Sequence, residues 1–210
     1  MLAGRYPAAL DKVGEEVRSL GGEPTTGRLD LSDAESVHSF AALVREHCPR
    51  VNLLVHCGAA YERRGVDELT SEELDALYHT NVRGPMLLTR DLLPLLTANA
   101  ADVVFVNSSV VDGTGAGVSG YAATKQALRA YADALRAEMN PRGVRVLSVY
   151  PGRTNTPLQA RIFEAEQRPY QPERLLQPED VVEIVLRCVD LPDTAEVTEL
   201  KIRPRYRQSD

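Results

Sequence analysis

Apolar positions recur along the chain in two periods, and the switches between them predict its elements. Behind Pro7, the residues Leu10, Val13, Val17 and Leu20 fall on one helical face, and Gly21-Gly22 stops the helix. Ser32-Asp33-Ala34-Glu35 reads as a capping box, from which Val37, Phe40, Ala41 and Val44 carry a second stripe to about Cys48. A strand follows at Val51 to Val55. Thr70-Ser71-Glu72-Glu73 is another capping box; it opens a long helix through Leu74, Leu77, Val82, Leu88 and Leu92 that ends near Pro94 or a turn later. Val103 to Val106 is a short continuous apolar run, the pattern of a strand covered on both faces.

Tyr121 to Met139 predicts an alanine-rich helix, Val144 to Val149 the next strand, and Pro151-Gly152 its break. Residues 153–177 read as a long polar loop with one short helix, a length usually reserved for function. Pro178 starts a last helix through Val189, and Val197 to Ile202 alternates like an exposed strand. Strand and helix alternate throughout without an internal repeat. That order predicts an α/β fold with a doubly wound, mainly parallel sheet, as a single domain over residues 1–210.

Composition narrows the function classes. With 210 residues, 43% hydrophobic and 26% charged, the chain is an ordinary globular protein, and it has no apolar run long enough to span a membrane. The start lacks the pattern of a secretory signal, so the expected location is the cytoplasm. Lys plus Arg number 24 against 30 Asp plus Glu, and the net charge of −6 argues against nucleic acid as a partner. Lys201, Arg203, Arg205 and Arg207 read as a solvated tail. Cys48, Cys57 and Cys188 show no metal or disulfide spacing, and His56-Cys57 has no third ligand at a recognisable distance, so no metal is expected.

Gly115, Gly117 and Gly120 spell GxGxxG between a predicted strand and a predicted helix. Seven residues separate Asn107 from Gly115, too many for the tight turn that sets a helix N-terminus against a pyrophosphate, so the segment reads as an active-site loop. Tyr121 and Lys125 carry more chemistry. At i and i+4 they share a helical face, and moving a tyrosine pKa from about 10 to about 7 takes roughly 4 kcal/mol of phenolate stabilisation, which a neighbouring cation supplies. Ser108 stands at the end of a buried strand, where ligands of open α/β sheets bind and where its hydroxyl could hold a carbonyl oxygen. Asn81 and Gly84 are poor helix formers within a predicted helix; a kink holding a water and a solvent-facing asparagine are both open readings.

Taken together and in order, Leu29-Asp30-Leu31, Leu54-Val55-His56-Cys57-Gly58-Ala59, Asn81-Val82-Arg83-Gly84, Val106-Asn107-Ser108-Ser109, Tyr121 to Lys125 and Pro151-Gly152-Arg153-Thr154-Asn155-Thr156 resemble the short-chain dehydrogenase/reductase family over nearly the whole chain. The resemblance implies a Rossmann-like fold and hydride transfer between a carbonyl or alcohol substrate and NADP(H), with NAD the less favoured cofactor. Tyr121 would be the general acid-base, Ser108 the carbonyl's partner with Ser109 as the alternative, Lys125 the ribose anchor, and Asn81 the relay. Asp30, with Leu31 beside it, would meet the adenine edge. Gly58 and Ala59 would line the adenosine ribose, and Pro151, Gly152, Thr154 and Thr156 would seat the nicotinamide. Arg5 falls where a basic residue of the family contacts a 2′-phosphate, and guanidinium pairs bidentately with phosphate. A homodimer or homotetramer is expected, built on the small-residue face of the Tyr121 helix. Leu158, Ile162, Phe163 and Tyr170 would form an apolar lid.

Two departures from the family stand out. His56-Cys57 replaces the usual pair of asparagines, and the family's first strand and glycine-rich phosphate loop have no counterpart before Leu2. The family's sheet order of 3-2-1-4-5-6-7 makes that strand central, so the expectation is an N-terminally truncated sheet and a reading frame that continues upstream of Met1. The competing expectation is a catalytically inactive binding or regulatory protein that has lost the cofactor's phosphate loop.

Overall fold

The computed structural model describes residues 1–206, so Arg207 of the basic tail lies outside the described residues. In chain order the elements are β1 (Leu2–Gly4), α1 (Pro7–Ser19), β2 (Thr26–Arg28), α2 (Ala34–His47), β3 (Leu53–His56) and α3 (Ser71–Tyr78). There follow α4 (Gly84–Ala98), β4 (Asp102–Val106), α5 (Ser119–Met139), β5 (Arg145–Pro151), α6 (Pro157–Ala165), α7 (Pro178–Val189) and β6 (Glu199–Ile202). Every pairing is parallel: β1 with β2, and β3-β4-β5-β6 in one sheet.

Successive residues of the central strands point to opposite faces, and both faces are covered. Val103, Phe105, Val144 and Val146 pack with Leu88, Leu92, Leu128 and Phe40 from α4, α5 and α2. Val104, Leu147 and Val149 meet Val181, Val185 and Cys188 of α7 on the other side. The doubly wound α/β architecture expected from the sequence is therefore observed. Its strands occupy the outer positions of the expected order, and no strand stands between β1 and β3 among the described residues. An apolar cleft of about 530 Å³, walled by Leu2, Ala3 and Gly4 on one side and Leu53, Leu54 and Val55 on the other, lies there.

Several boundaries differ from the sequence reading, each for a local reason. Asp33, not Ser32, caps α2, its carboxylate accepting from the Glu35 amide at 3.0 Å; Ser32 is drawn away by Asp30, to which its hydroxyl donates at 2.6 Å. The strand read at Val51 starts two residues later, at Leu53. The helix read as continuous from Ser71 is interrupted by a π-helical turn at His79–Arg83, though its end at Ala98, a turn past Pro94, is as read. Strand β2 escapes the hydrophobic pattern because its middle residue is Gly27, where a Cβ would lie 2.8 Å from the Phe40 ring. The basic tail is not simply solvated. It turns back over the end of β5, where a Cβ on Gly152 would come within 3.0 Å of Pro204.

Burial also settles the state of one departure from the family. His56 is buried, its Nε2 2.8 Å from the Thr89 hydroxyl and its ring stacked on Phe105 at 4.8 Å, and desolvation lowers its pKa to about 4. An unfolded histidine titrates near 6.5, so between pH 6.5 and 4 the unfolded chain binds the extra proton and stability falls with falling pH. We expect His56→Gln to remove about 2 kcal/mol of the stability lost between pH 7 and 5, read from denaturant midpoints of both proteins at the two pH values. Equal losses in both proteins would overturn the assignment.

Candidate active site

The π-helical turn gives Asn81 its position. The extra residue turns the side chain inward, where it is 1% exposed, so the solvent-facing reading is excluded. Its amide is fully engaged: Oδ1 accepts from the Ala60 amide at 2.7 Å, while Nδ2 donates to the Ala60 carbonyl at 2.9 Å and to the Thr124 hydroxyl at 3.0 Å. Thr124 in turn donates to the carbonyl of Tyr121 at 2.8 Å. The kink is therefore present, but the side chain joins the loop after β3 to α5 and holds no idle group for a relay. Thr124 and Ala60 were not singled out from the sequence, and only the apolar-to-polar register of α5 could have suggested Thr124.

Ser108 leaves β4 in an extended conformation and caps the short 3₁₀ turn Ser109–Asp112, accepting from the Val110 amide at 3.2 Å. Ser108 also acts to lower the pKa of the Tyr121 phenol. Ser109, the alternative, instead lines a separate cavity beside Arg153. Lys125 is 1% exposed and sits under the tyrosine, with Nζ 5.8 Å from the ring centroid and 3.4 Å from the Val106 carbonyl. Asn107 steadies the backbone there by donating to the Lys125 carbonyl at 3.1 Å.

The electrostatics depart from the simple expectation that Lys125 lowers the phenol. Burial raises the Tyr121 pKa, Ser108 opposes that rise, and the Tyr61 phenol, edge-on at 5.0 Å between ring centroids, adds to it. Lys125 lies against the ring and is itself lowered to about 8 by burial. A desolvated ammonium loses part of the charge advantage that proximity would give it.

At the other end of the cleft, Arg5, Asp30, Leu31, Gly58 and Ala59 come together as the resemblance implies. Hydrogen bonding from Ser32 holds the Asp30 carboxyl below its usual range against the opposing effect of burial, helped by Arg5 and Arg28. Gly58 lets the Leu31 side chain pack against the backbone, since a Cβ there would meet Leu31 at 2.8 Å. On the nicotinamide side, Pro151 ends β5. The Thr154 hydroxyl donates to the Gly152 carbonyl at 3.1 Å, and Thr156 caps α6, accepting from the Gln159 amide at 3.2 Å. An adenosine-and-ribose ligand fits these two ends: a cleft lined by Gly58 and Ala59 beside a carboxylate and a guanidinium, and a buried ammonium with one carbonyl contact and donors to spare. Gly115 and Gly117 lie in the loop before α5 and Gly120 in its first turn; Gly115 faces open space, and Gly120 packs on Leu69.

The segment 153–177 is more ordered than a loop. It contains α6 and pairs Thr154 with Leu176 in an isolated bridge. Phe163 is buried between the guanidinium of Arg153 at 4.8 Å and the ring of Tyr170 at 5.4 Å, so it packs inside this segment and does not serve as the expected lid face. Among the described residues no group of three metal-binding side chains occurs, and no helix is long and apolar enough to cross a membrane.

Fold and site together define an oxidoreductase of Rossmann-like α/β architecture. The family described as short chain dehydrogenase matches residues 1–167, and the chain belongs to that family. The chain is 39% identical over 158 residues to the oxidoreductase claN of Passalora fulva, a match covering 74% of this chain and 71% of that protein. It is 25% identical over 214 residues to an NADP-dependent 3-hydroxy acid dehydrogenase of Schizosaccharomyces pombe, covering 99% and 83%. Among solved structures it is similar to an alcohol dehydrogenase from the archaeon Thermococcus sibiricus complexed with 5-hydroxy-NADP. That similarity has a TM-score of 0.85 and 28% identity over 100% of this chain and 87% of the other.

Proposed function

We propose that the protein interconverts a carbonyl and an alcohol by hydride transfer with NADP(H), Tyr121 acting as general acid-base. The observation that carries this reading is the burial of Lys125 beneath the Tyr121 phenol, Nζ 5.8 Å from the ring centroid, with Ser108 at the end of a central strand acting to lower the phenol's pKa. Bound NADPH would supply the hydride to the carbonyl carbon. The Ser108 hydroxyl holds the carbonyl oxygen, and the Tyr121 hydroxyl delivers the proton that completes the alcohol. Lys125 has donors for the ribose hydroxyls, and Pro151, Gly152, Thr154 and Thr156 form the wall for the nicotinamide. Asp30, Leu31, Gly58 and Ala59 receive the adenosine. Arg5, across from Asp30, would pair with the 2′-phosphate. NADP complexes of similar proteins support that cofactor.

Cofactor choice gives one direct prediction. Arg5→Ala should weaken NADPH about 10- to 150-fold while changing NADH little, because charge-assisted hydrogen bonds contribute about 1.5–3 kcal/mol. Equal losses for both in a fluorescence titration would remove Arg5 from the site.

The competing reading is a cofactor-free binding protein. The same titration separates the two. Saturable NADPH binding together with NADPH-dependent reduction of a carbonyl substrate supports the enzyme, and a folded chain that binds neither cofactor supports the binding protein. The substrate is a small molecule, and a homodimer or homotetramer through α4 and α5 is the assembly we propose.

A further inference from the structure

A second cavity, of about 810 Å³, opens beside the proposed reaction centre and is lined by Ser109, Gly152, Arg153, Arg168, Arg203 and Arg205. It adjoins the chemistry at two points. Ser109 follows Ser108, and Gly152-Arg153 belongs to the turn that carries Thr154 and Thr156.

The charge here runs against the sign of the protein. The chain as a whole carries −6, yet Arg63 and Arg153 share Glu166 with Arg168, and Lys201 and Arg203 share Asp112, which also lines the cavity. Arg205 meets the ring of Tyr206 and no carboxylate among the described residues. Arg153 is held rigidly, with Nη2 at 3.0 and 2.9 Å from the two carboxylate oxygens of Glu166 and its guanidinium 4.8 Å over the Phe163 ring. Its Nη1 is buried without a partner, so donor capacity remains that protein groups do not use. Crowded guanidinium groups repel one another unless an anion joins them, and a concave site concentrates their field. Their planar forks match carboxylate and phosphate oxygens.

We propose that this arginine pocket binds a carboxylate or phosphate carried by the substrate, so that the enzyme selects anionic carbonyl compounds. The proposal rests on the oxidoreductase reading for the word substrate, but the anion site itself stands on the pocket. The cavity lies within the roughly 300–1,000 Å³ range of small-molecule sites, and Ser109 in its wall is the chain neighbour of Ser108.

The test uses the full chain with NADPH and three ketones of similar length: a keto carboxylate, its methyl ester and a ketone phosphate. Wild type should show kcat/KM at least about tenfold higher for one of the anions than for the ester, and which anion leads identifies the group recognised. The double variant Arg203→Ala/Arg205→Ala, whose side chains lie at the pocket rim, should lower the anion's kcat/KM about 10- to 100-fold and leave the ester unchanged. Arg153→Lys should act in the same direction, because an ammonium cannot reproduce the fork. Isothermal titration with succinate and with inorganic phosphate, without cofactor, reads the site independently of catalysis. Equal turnover of ester and anions by wild type, or anion binding unaltered in the double variant, would overturn the proposal. If no ketone is reduced while one anion binds wild type and not the variant, the pocket stands and the oxidoreductase reading falls. Neither turnover nor anion binding would overturn both.

Discussion

Tyr121→Phe is expected to lower carbonyl reduction about 10²- to 10⁴-fold, the range that a positioned general acid contributes, with little change in folding or cofactor affinity. The substitution removes one hydroxyl from a half-buried ring whose edge contact with Tyr61 survives. Its structural cost is the polar interaction of one hydroxyl, on the order of 1 kcal/mol. A variant that keeps more than about a tenth of wild-type turnover would remove Tyr121 from the proton-transfer step. The pH profile gives a second check. Burial holds the tyrosine protonated through neutral pH, as an acid for reduction must be, whereas Lys125 loses its proton near pH 8. In the free enzyme, kcat/KM for reduction should therefore fall through about pH 8 on the alkaline side, and Lys125→Met should erase that limb along with most of the activity. Survival of the limb in Lys125→Met would assign it to another group.

The tyrosine was legible in the sequence because its chemistry is written in local spacing: i and i+4 on one helix fixes the juxtaposition with Lys125 whatever the rest of the chain does. Ser108 was legible for a related reason, since the end of a continuous apolar run marks the end of a buried strand. Most helices followed their stripes and caps in the same way, and α7 begins and ends as read. What failed was decided by contacts between distant segments. Strand β2 contains Thr26, Gly27 and Arg28, no run of β-formers, and exists because Gly27 lets the Phe40 ring of α2 approach the backbone. Gly84, just after the π-helical turn, packs against Leu31, whose carbonyl would lie 2.3 Å from a Cβ there. Glu166 joins arginines 103 and 13 residues away in sequence, which no periodicity encodes. The direction of the Tyr121 shift was likewise hidden, because spacing reports which charges are near but not how much water has been removed.

Asn81→Ala should be the most disruptive single change near the site, because the asparagine is a tie between elements before it is anything else. Removing its amide takes a partner from the Ala60 N–H, from the Ala60 C=O and from the Thr124 hydroxyl oxygen, which accepts from Nδ2. At about 0.5–1.5 kcal/mol net for each of the three hydrogen bonds, the loss comes to about 1.5–4.5 kcal/mol out of a typical total of about 5–15. The damage has a direction. Asn81 holds Thr124, and Thr124 holds the carbonyl of Tyr121, so the variant loosens the first turns of α5 at the residue proposed to move the proton. Turnover should fall along with stability, and the KM for substrate should change less than kcat, since the substrate's own contacts are left in place. Thr124→Val isolates the second link. It keeps the volume of a side chain that is 4% exposed and leaves both Ala60 bonds intact, so it should cost only about 1 kcal/mol of stability while still lowering kcat. A Thr124→Val enzyme with unchanged kcat would show that the tie is structural only. An Asn81→Ala protein with wild-type denaturant midpoint would show that water replaces the amide, and the π-helical turn would then need another explanation than the asparagine it turns inward.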